Sequence, residues 1–210
     1  MSQRFTARPT SLQRGVSMLE VLIAILVLAI GVLAIIGLQL VSKAGNLDGA
    51  QHSVAAQASY DLLERMRANS NQSSLQQYIS LTAGNLGSGS QGSTAPTPAC
   101  SANASCTPLQ LVRYDLWQWE QQIESGSEQV GTGNTASKTG GLISPRACIT
   151  GPADGSSGAY TVVVVWRGSM PLPNNTAVTC GDGDAAYGTA GEYRRSITIA
   201  AYITITGTCV

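Results

Sequence analysis

The chain has 210 residues, enough for one anchored domain. Twelve Lys and Arg balance 12 Asp and Glu to a formal net charge of +0, so no basic field draws in nucleic acid. Charged residues are 11% of the chain, against about 25% in an average soluble domain. The deficit comes from one long apolar segment and from a body rich in Gly, Ser, Thr, Asn and Gln.

The N-terminus carries most of the information. Met1 to Gly15 holds Arg4, Arg8 and Arg14 and no acid, and Val16-Ser17-Met18-Leu19-Glu20 follows. From Val21 to Leu38 every residue is uncharged and apolar or Gly. That stretch approaches the ~20 residues a helix needs to cross a bilayer. With the arginines on its N-terminal side, the positive-inside bias keeps the N-terminus in the cytoplasm and sends the rest outward. A secretory signal cleaved near Ser42-Lys43-Ala44 and an unprocessed signal anchor compete with this reading. The apolar stretch is long for the first, and neither accounts for Glu20.

A carboxylate at the mouth of a membrane helix is costly and usually functional. No Lys or Arg lies one turn away on the C-terminal side of Glu20. Cutting after Gly15 would supply the missing cation. Val16 would then carry an α-amino group four residues before Glu20, about one helical turn away. When identical helices stack with a stagger, one subunit's Glu20 meets a neighbour's amine. Both charges are then neutralised in an apolar core, and the stagger is fixed.

Gly15-Val16-Ser17-Met18-Leu19-Glu20 resembles the processing motif of type IV prepilins. In that family Gly precedes the cut, an apolar residue follows it and Glu stands fifth in the mature chain; counted from Val16, Glu20 is fifth. The resemblance implies cleavage between Gly15 and Val16 and N-methylation of Val16, both by a prepilin peptidase. It also implies an assembly role for Glu20. Val16 departs from the Phe usual at its position.

Beyond the apolar stretch, Leu40, Val41, Ala44, Leu47, Val54, Ala58, Leu62 and Met66 recur at helical steps. Lys43, Asn46, Gln51, Gln57, Asp61 and Arg65 fill the opposite face, and Asn69-Ser70-Asn71 ends the run. The pattern predicts one helix, apolar all round over 16–40 and amphipathic over 41–69. Gly31 and Gly37 in its apolar half permit close helix approach.

The body, 70–210, begins with a helix-like patch around Leu75 and Tyr78. Thr82 to Pro108 reads as a loop. Leu109, Val112, Leu116, Trp119 and Ile123 predict a second helix over 109–124. Ser125 to Gly141 reads as another polar loop. Three strands follow: Leu142 to Thr150, the β-branched run Tyr160 to Trp166, and Arg194 to Thr206. The last alternates Ile197, Ile199, Ala201, Ile203 and Ile205 with Ser196, Thr198, Ala200, Tyr202 and Thr204. The expected fold class is α+β. A long N-terminal helix packs on a small antiparallel sheet, as the resemblance to the pilin fold also implies.

Four further segments narrow the resemblance: Leu62 to Asn69, Asp115-Leu116-Trp117-Gln118-Trp119, Val165-Trp166-Arg167-Gly168 and Tyr193-Arg194-Arg195-Ser196. They resemble the minor pilin PilV, or type IV pilus modification protein, group. That resemblance implies a low-abundance subunit that primes pilus assembly at the inner membrane and sits in the pilus, at its tip in one arrangement. Its partners would be other minor and major pilins, prepilin peptidase and the inner-membrane assembly platform. Minor pseudopilins of type II secretion share the N-terminal architecture and are the alternative. A signal-anchored periplasmic binding domain is a third reading, and adhesion through the long loops is compatible with the first.

All five cysteines, Cys100, Cys106, Cys148, Cys180 and Cys209, lie beyond the apolar helix, on the side expected to be oxidising. Cys100 with Cys106 would close one loop. Cys148 with Cys180 would bridge the strand pair, with Cys180–Cys209 as its competitor and one thiol left over. No C-x₂-C pair appears and His52 is the only His, so neither zinc nor another cofactor is expected. Asp154, Asp182 and Asp184 read as polar turns rather than a calcium site. Trp117, Trp119 and Trp166 read as core before ligand platform. No nucleophile motif or P-loop is present, and no enzyme activity is expected.

Overall fold

The computed structural model describes residues 15–82, 86–100, 105–124 and 140–205, with the backbone alone at 129–130 and 137–138. Two compact units divide between Lys43 and Ala44. Helix α1 (Met18–Ala68) begins in the first unit and ends in the second. Every described side chain up to Lys43 is exposed, and α1 is long and apolar enough to cross a membrane. A helix apolar all round and covered by nothing needs lipid or other helices around it.

In the second unit α1 buries Gln51, Ala55, Ala58, Ser59, Leu62, Leu63 and Met66. The spacing is helical, but the face is rotated from the one the apolar pattern indicates. Leu47 is exposed and Val54 half-buried, while the small residues Ala55, Ala58 and Ser59 face inward. Small side chains let a bulky partner approach the helix backbone. Trp119 does so and donates its indole N–H to the Ala58 carbonyl at 2.7 Å.

Helix α2 (Gln72–Leu81) starts at Asn71, whose side chain accepts from the Ser74 N–H at 2.9 Å. Helix α3 (Pro108–Ile123) is opened by a reciprocal Thr107–Gln110 capping box with Pro108 in the first turn. Such a cap contributes about 1 kcal/mol. Leu109 is exposed rather than part of the buried stripe, because it falls in the first turn, ahead of the core.

Strands β1 (Gln129–Val130) and β2 (Ser137–Lys138) form a short antiparallel pair within what the composition indicates as a loop. Strands β3 (Arg146–Thr150), β4 (Gly158–Arg167) and β5 (Arg194–Ile203) form an antiparallel sheet in the order β3-β4-β5. β3 is shorter than the apolar segment from Leu142; Ser144, at φ 49°, turns the chain just before it. Leu86 bridges the free side of β3 at Ala147.

The central strand is buried on one face and largely half-covered on the other, which is why it reads as an unbroken β-branched run. Tyr160, Val162, Val164 and Trp166 join α1, α2 and α3 in the main core. Val165 packs with Cys180 and Tyr187 in a second, smaller cluster on the other face, where Val163 and Cys148 are half-buried. β5 alternates as its sequence indicates, with Ile203 buried and Thr198, Ala200 and Tyr202 exposed. The chain is thus α+β, with a long helix packed on a small antiparallel sheet.

Candidate assembly and processing site

Gly15 and Val16 precede α1 and are exposed. Ser17 closes the helix start: the Leu19 N–H donates to Ser17 Oγ at 3.3 Å, and the Glu20 and Val21 N–H groups donate to the Ser17 carbonyl at 3.0 and 3.2 Å. The Gly15–Val16 peptide therefore lies ahead of the helical hydrogen bonds, in exposed chain. Glu20 stands in the first turn, where the helix dipole favours a negative charge. Its side chain is exposed, and no cation pairs with it among the described residues. A free amine on Val16 would lie about one turn from it.

A second polar group ties the three helices of the other unit together. Arg65 donates to Asp61 Oδ2 at 2.8 Å, Asp115 Oδ1 at 3.3 Å and Gln118 Oε1 at 2.7 Å. Tyr78 Oη donates to Asp115 Oδ2 at 2.6 Å. Burial pushes the Asp115 carboxyl above the usual carboxylate range, against the Tyr78 hydrogen bond and the Arg65 charge, which pull it down. Burial, then the Asp115 charge, pushes the Tyr78 phenol far above its ordinary value. Glu120 is fully buried, and no cation pairs with it among the described residues. Its Oε1 accepts the N–H of Gly87 and Ser90 at 2.7 and 2.8 Å and the Ser90 hydroxyl at 2.6 Å, and its Oε2 accepts the Gln91 N–H at 2.6 Å. Both networks are structural: they fix α2, α3 and the 87–91 loop around α1.

The cysteines sit in two bridges. Cys100 bonds Cys106, with Cα atoms 5.8 Å apart, and Cys148 bonds Cys180 at 5.9 Å. Cys180 lies in the loop between β4 and β5 rather than in a strand, so its bridge fastens that loop to the second face of the sheet. Cys209 lies outside the described residues.

Asp184 pairs with Arg146 at 3.0 Å and Asp182 with Arg194 at 3.4 Å. Asp154 caps its own turn through the Ser156 N–H at 3.1 Å. Hydrogen bonds from Ser156 hold its carboxyl below the usual range. Among the described residues no group of His, Cys, Asp and Glu is arranged to hold a metal. Trp119 and Trp166 are core residues, and Trp117 is half-buried beside Tyr114 at 5.7 Å. His52 is exposed and meets Trp166 edge-on at 5.9 Å.

Two family models match. Residues 10–36 match the prokaryotic N-terminal methylation motif, spanning Gly15, Val16 and Glu20. Residues 37–117 match the Tt1218-like family, described as type IV pilin Tt1218. No curated protein and no solved structure matches the chain. Over residues 10–117 the chain is thus similar to type IV pilins, with a match to the methylation motif running directly into a match to the Tt1218-like family.

Proposed function

We propose that this chain is a minor type IV pilin that helps initiate pilus assembly with other minor pilins. Prepilin peptidase removes residues 1–15 and methylates the new amine of Val16. Residues 16–40 span the inner membrane and later join the filament core, 41–69 form the amphipathic half of the helix, and 70–210 form a periplasmic head. Cysteines 100, 106, 148 and 180 form their two bridges in that oxidising compartment. Glu20 pairs with the Val16 amine of a neighbouring subunit during assembly, and the assembly platform and major pilins are the further partners. Such a subunit works by packing, and the reading assigns it no catalytic residue.

The observation that carries the reading is the join of two features. The chain matches the methylation motif over residues 10–36, and the helix that motif opens is apolar all round with a single acid, Glu20, before Lys43. Intact mass and N-terminal sequencing of membrane-extracted protein test it. A chain beginning at methylated Val16 is expected. One beginning at Met1, or beyond Ala44, overturns the processing and the assembly role of Glu20 together.

A further inference from the structure

The second unit exposes large apolar side chains unevenly. Leu47, Ile143, Met170 and Leu172 are all exposed, at 47%, 42%, 39% and 53%. They lie around one turn of α1. Leu47 and Ile143 line a common groove with Val54 and Leu142, and the Arg167 N–H donates to the Ile143 carbonyl at 2.8 Å. Two residues beyond Arg167, Ser169 donates to Asp48 Oδ1 from its N–H at 2.9 Å and its hydroxyl at 2.8 Å. Met170 to Pro173 follow directly. The other exposed large apolar side chains of this unit, Tyr60, Leu81, Leu109 and Tyr202, belong to different elements.

The loop that presents Met170 and Leu172 is held rigidly. Arg195 donates to the Met170 carbonyl and stands 3.8 Å from Asp48 Oδ2. The Leu172 N–H donates to the Glu192 carbonyl at 2.7 Å, and the Gly168 N–H to the Tyr193 carbonyl at 2.8 Å. Pro171 and Pro173 stiffen it further. A tip ordered in advance loses little entropy on burial. Asp48 is already satisfied by Ser169 and Arg195. Glu124, which also borders the groove, accepts the Gly89 N–H at 2.6 Å.

We propose that Leu47, Ile143, Met170 and Leu172 form a collar that rests in the lipid headgroup layer. The proposal builds on the reading of α1 as a membrane span. Leu47 lies six residues beyond Val41, at most about 9 Å along a helix. The headgroup layer is about 5–8 Å deep on each side of the hydrocarbon. A span ending near Val41 therefore brings Leu47, and the loop tied to Asp48, to the lipid surface. Tethering by α1 keeps that surface at high effective concentration, so modest apolar area suffices to hold the contact.

The test uses full-length protein in phosphatidylcholine vesicles, with and without lipid brominated near the headgroup. Met170→Trp and Leu172→Trp are compared with Tyr202→Trp, each read as emission added over the parent. Leu33→Trp, read with lipid brominated deeper in the chains, reports the span itself. We expect bromolipid to remove most of the added emission at position 170 or 172 and little at 202. Quenching at neither 170 nor 172 beyond that at 202, with Leu33→Trp quenched, overturns the collar and leaves the span standing. An unquenched Leu33→Trp overturns the spanning reading itself.

Discussion

Tyr78 on α2 donates its phenolic hydrogen to Asp115 on α3 across 2.6 Å, while Arg65 of α1 approaches the other oxygen of the same carboxylate at 3.3 Å. One carboxylate thus joins three helices that apolar periodicity alone would leave free to slide.

The raised Asp115 carboxyl sets a pH signature. Its folded-state pKa lies above its unfolded value. The stability it contributes is therefore fully present below the unfolded pKa, and is lost as pH rises through the folded one. Asp115→Asn keeps an acceptor for Tyr78 and removes the titration. Urea midpoints of the detergent-solubilised protein should fall as pH rises from about 4 toward neutrality, and that component should vanish in the Asn variant. Tyr78→Phe leaves a buried carboxylate oxygen without its donor and should cost about 1–3 kcal/mol at neutral pH.

Glu120 should be intolerant even of an isosteric change. Its two oxygens receive three backbone N–H groups and a hydroxyl. In Glu120→Gln an NH₂ group meets at least one of those donors. A loss of about 2 kcal/mol is expected, with faster hydrogen exchange at Gly87, Ser90 and Gln91, measured by mass spectrometry.

The two disulfides should differ in weight. Cys148–Cys180 closes a sequence separation of 32 and Cys100–Cys106 one of 6. Chain-entropy reasoning gives about 3–4 kcal/mol for the larger loop and about 2 for the smaller. Thermal melts of the paired Cys→Ser variants should show the larger drop for the 148/180 pair.

Glu20→Ala should leave the protein in the membrane fraction and remove it from sheared filaments, as immunoblots of both fractions would show. Normal incorporation of the variant would sink the proposed Glu20–amine pair.

The architecture was legible where one residue type repeats. The apolar run of α1, the Val run of β4 and the alternation of β5 are each continuous in sequence, and β4 and β5 keep one face toward the core, so local pattern and tertiary role coincide. Legibility failed where a residue's role depends on a distant partner. Asp115 and Glu120 lie on the core side of α3, yet their acceptors are used by Tyr78 and by the 87–91 loop, which no periodicity in α3 announces. The rotated face of α1 has the same origin. Ala58 belongs to the apolar stripe, but Ala55 and Ser59 look neutral until Trp119 needs room to reach the Ala58 carbonyl. The β1–β2 pair is too short to show alternation. At the proposed processing site the motif residues stand close together in sequence, so Gly15, Val16 and Glu20 stand out as a group, while the proposed collar residues come from three separated stretches of chain.

The packing of α1 also sets an order of events. Its buried face, Ala55 to Met66, is covered by Trp119 and by β4, whose Tyr160 emerges about a hundred residues later. A chain synthesised from its N-terminus therefore holds that face uncovered until α3 and then β4 have been made. The head closes only when β5, the last strand of its sheet, has joined β4.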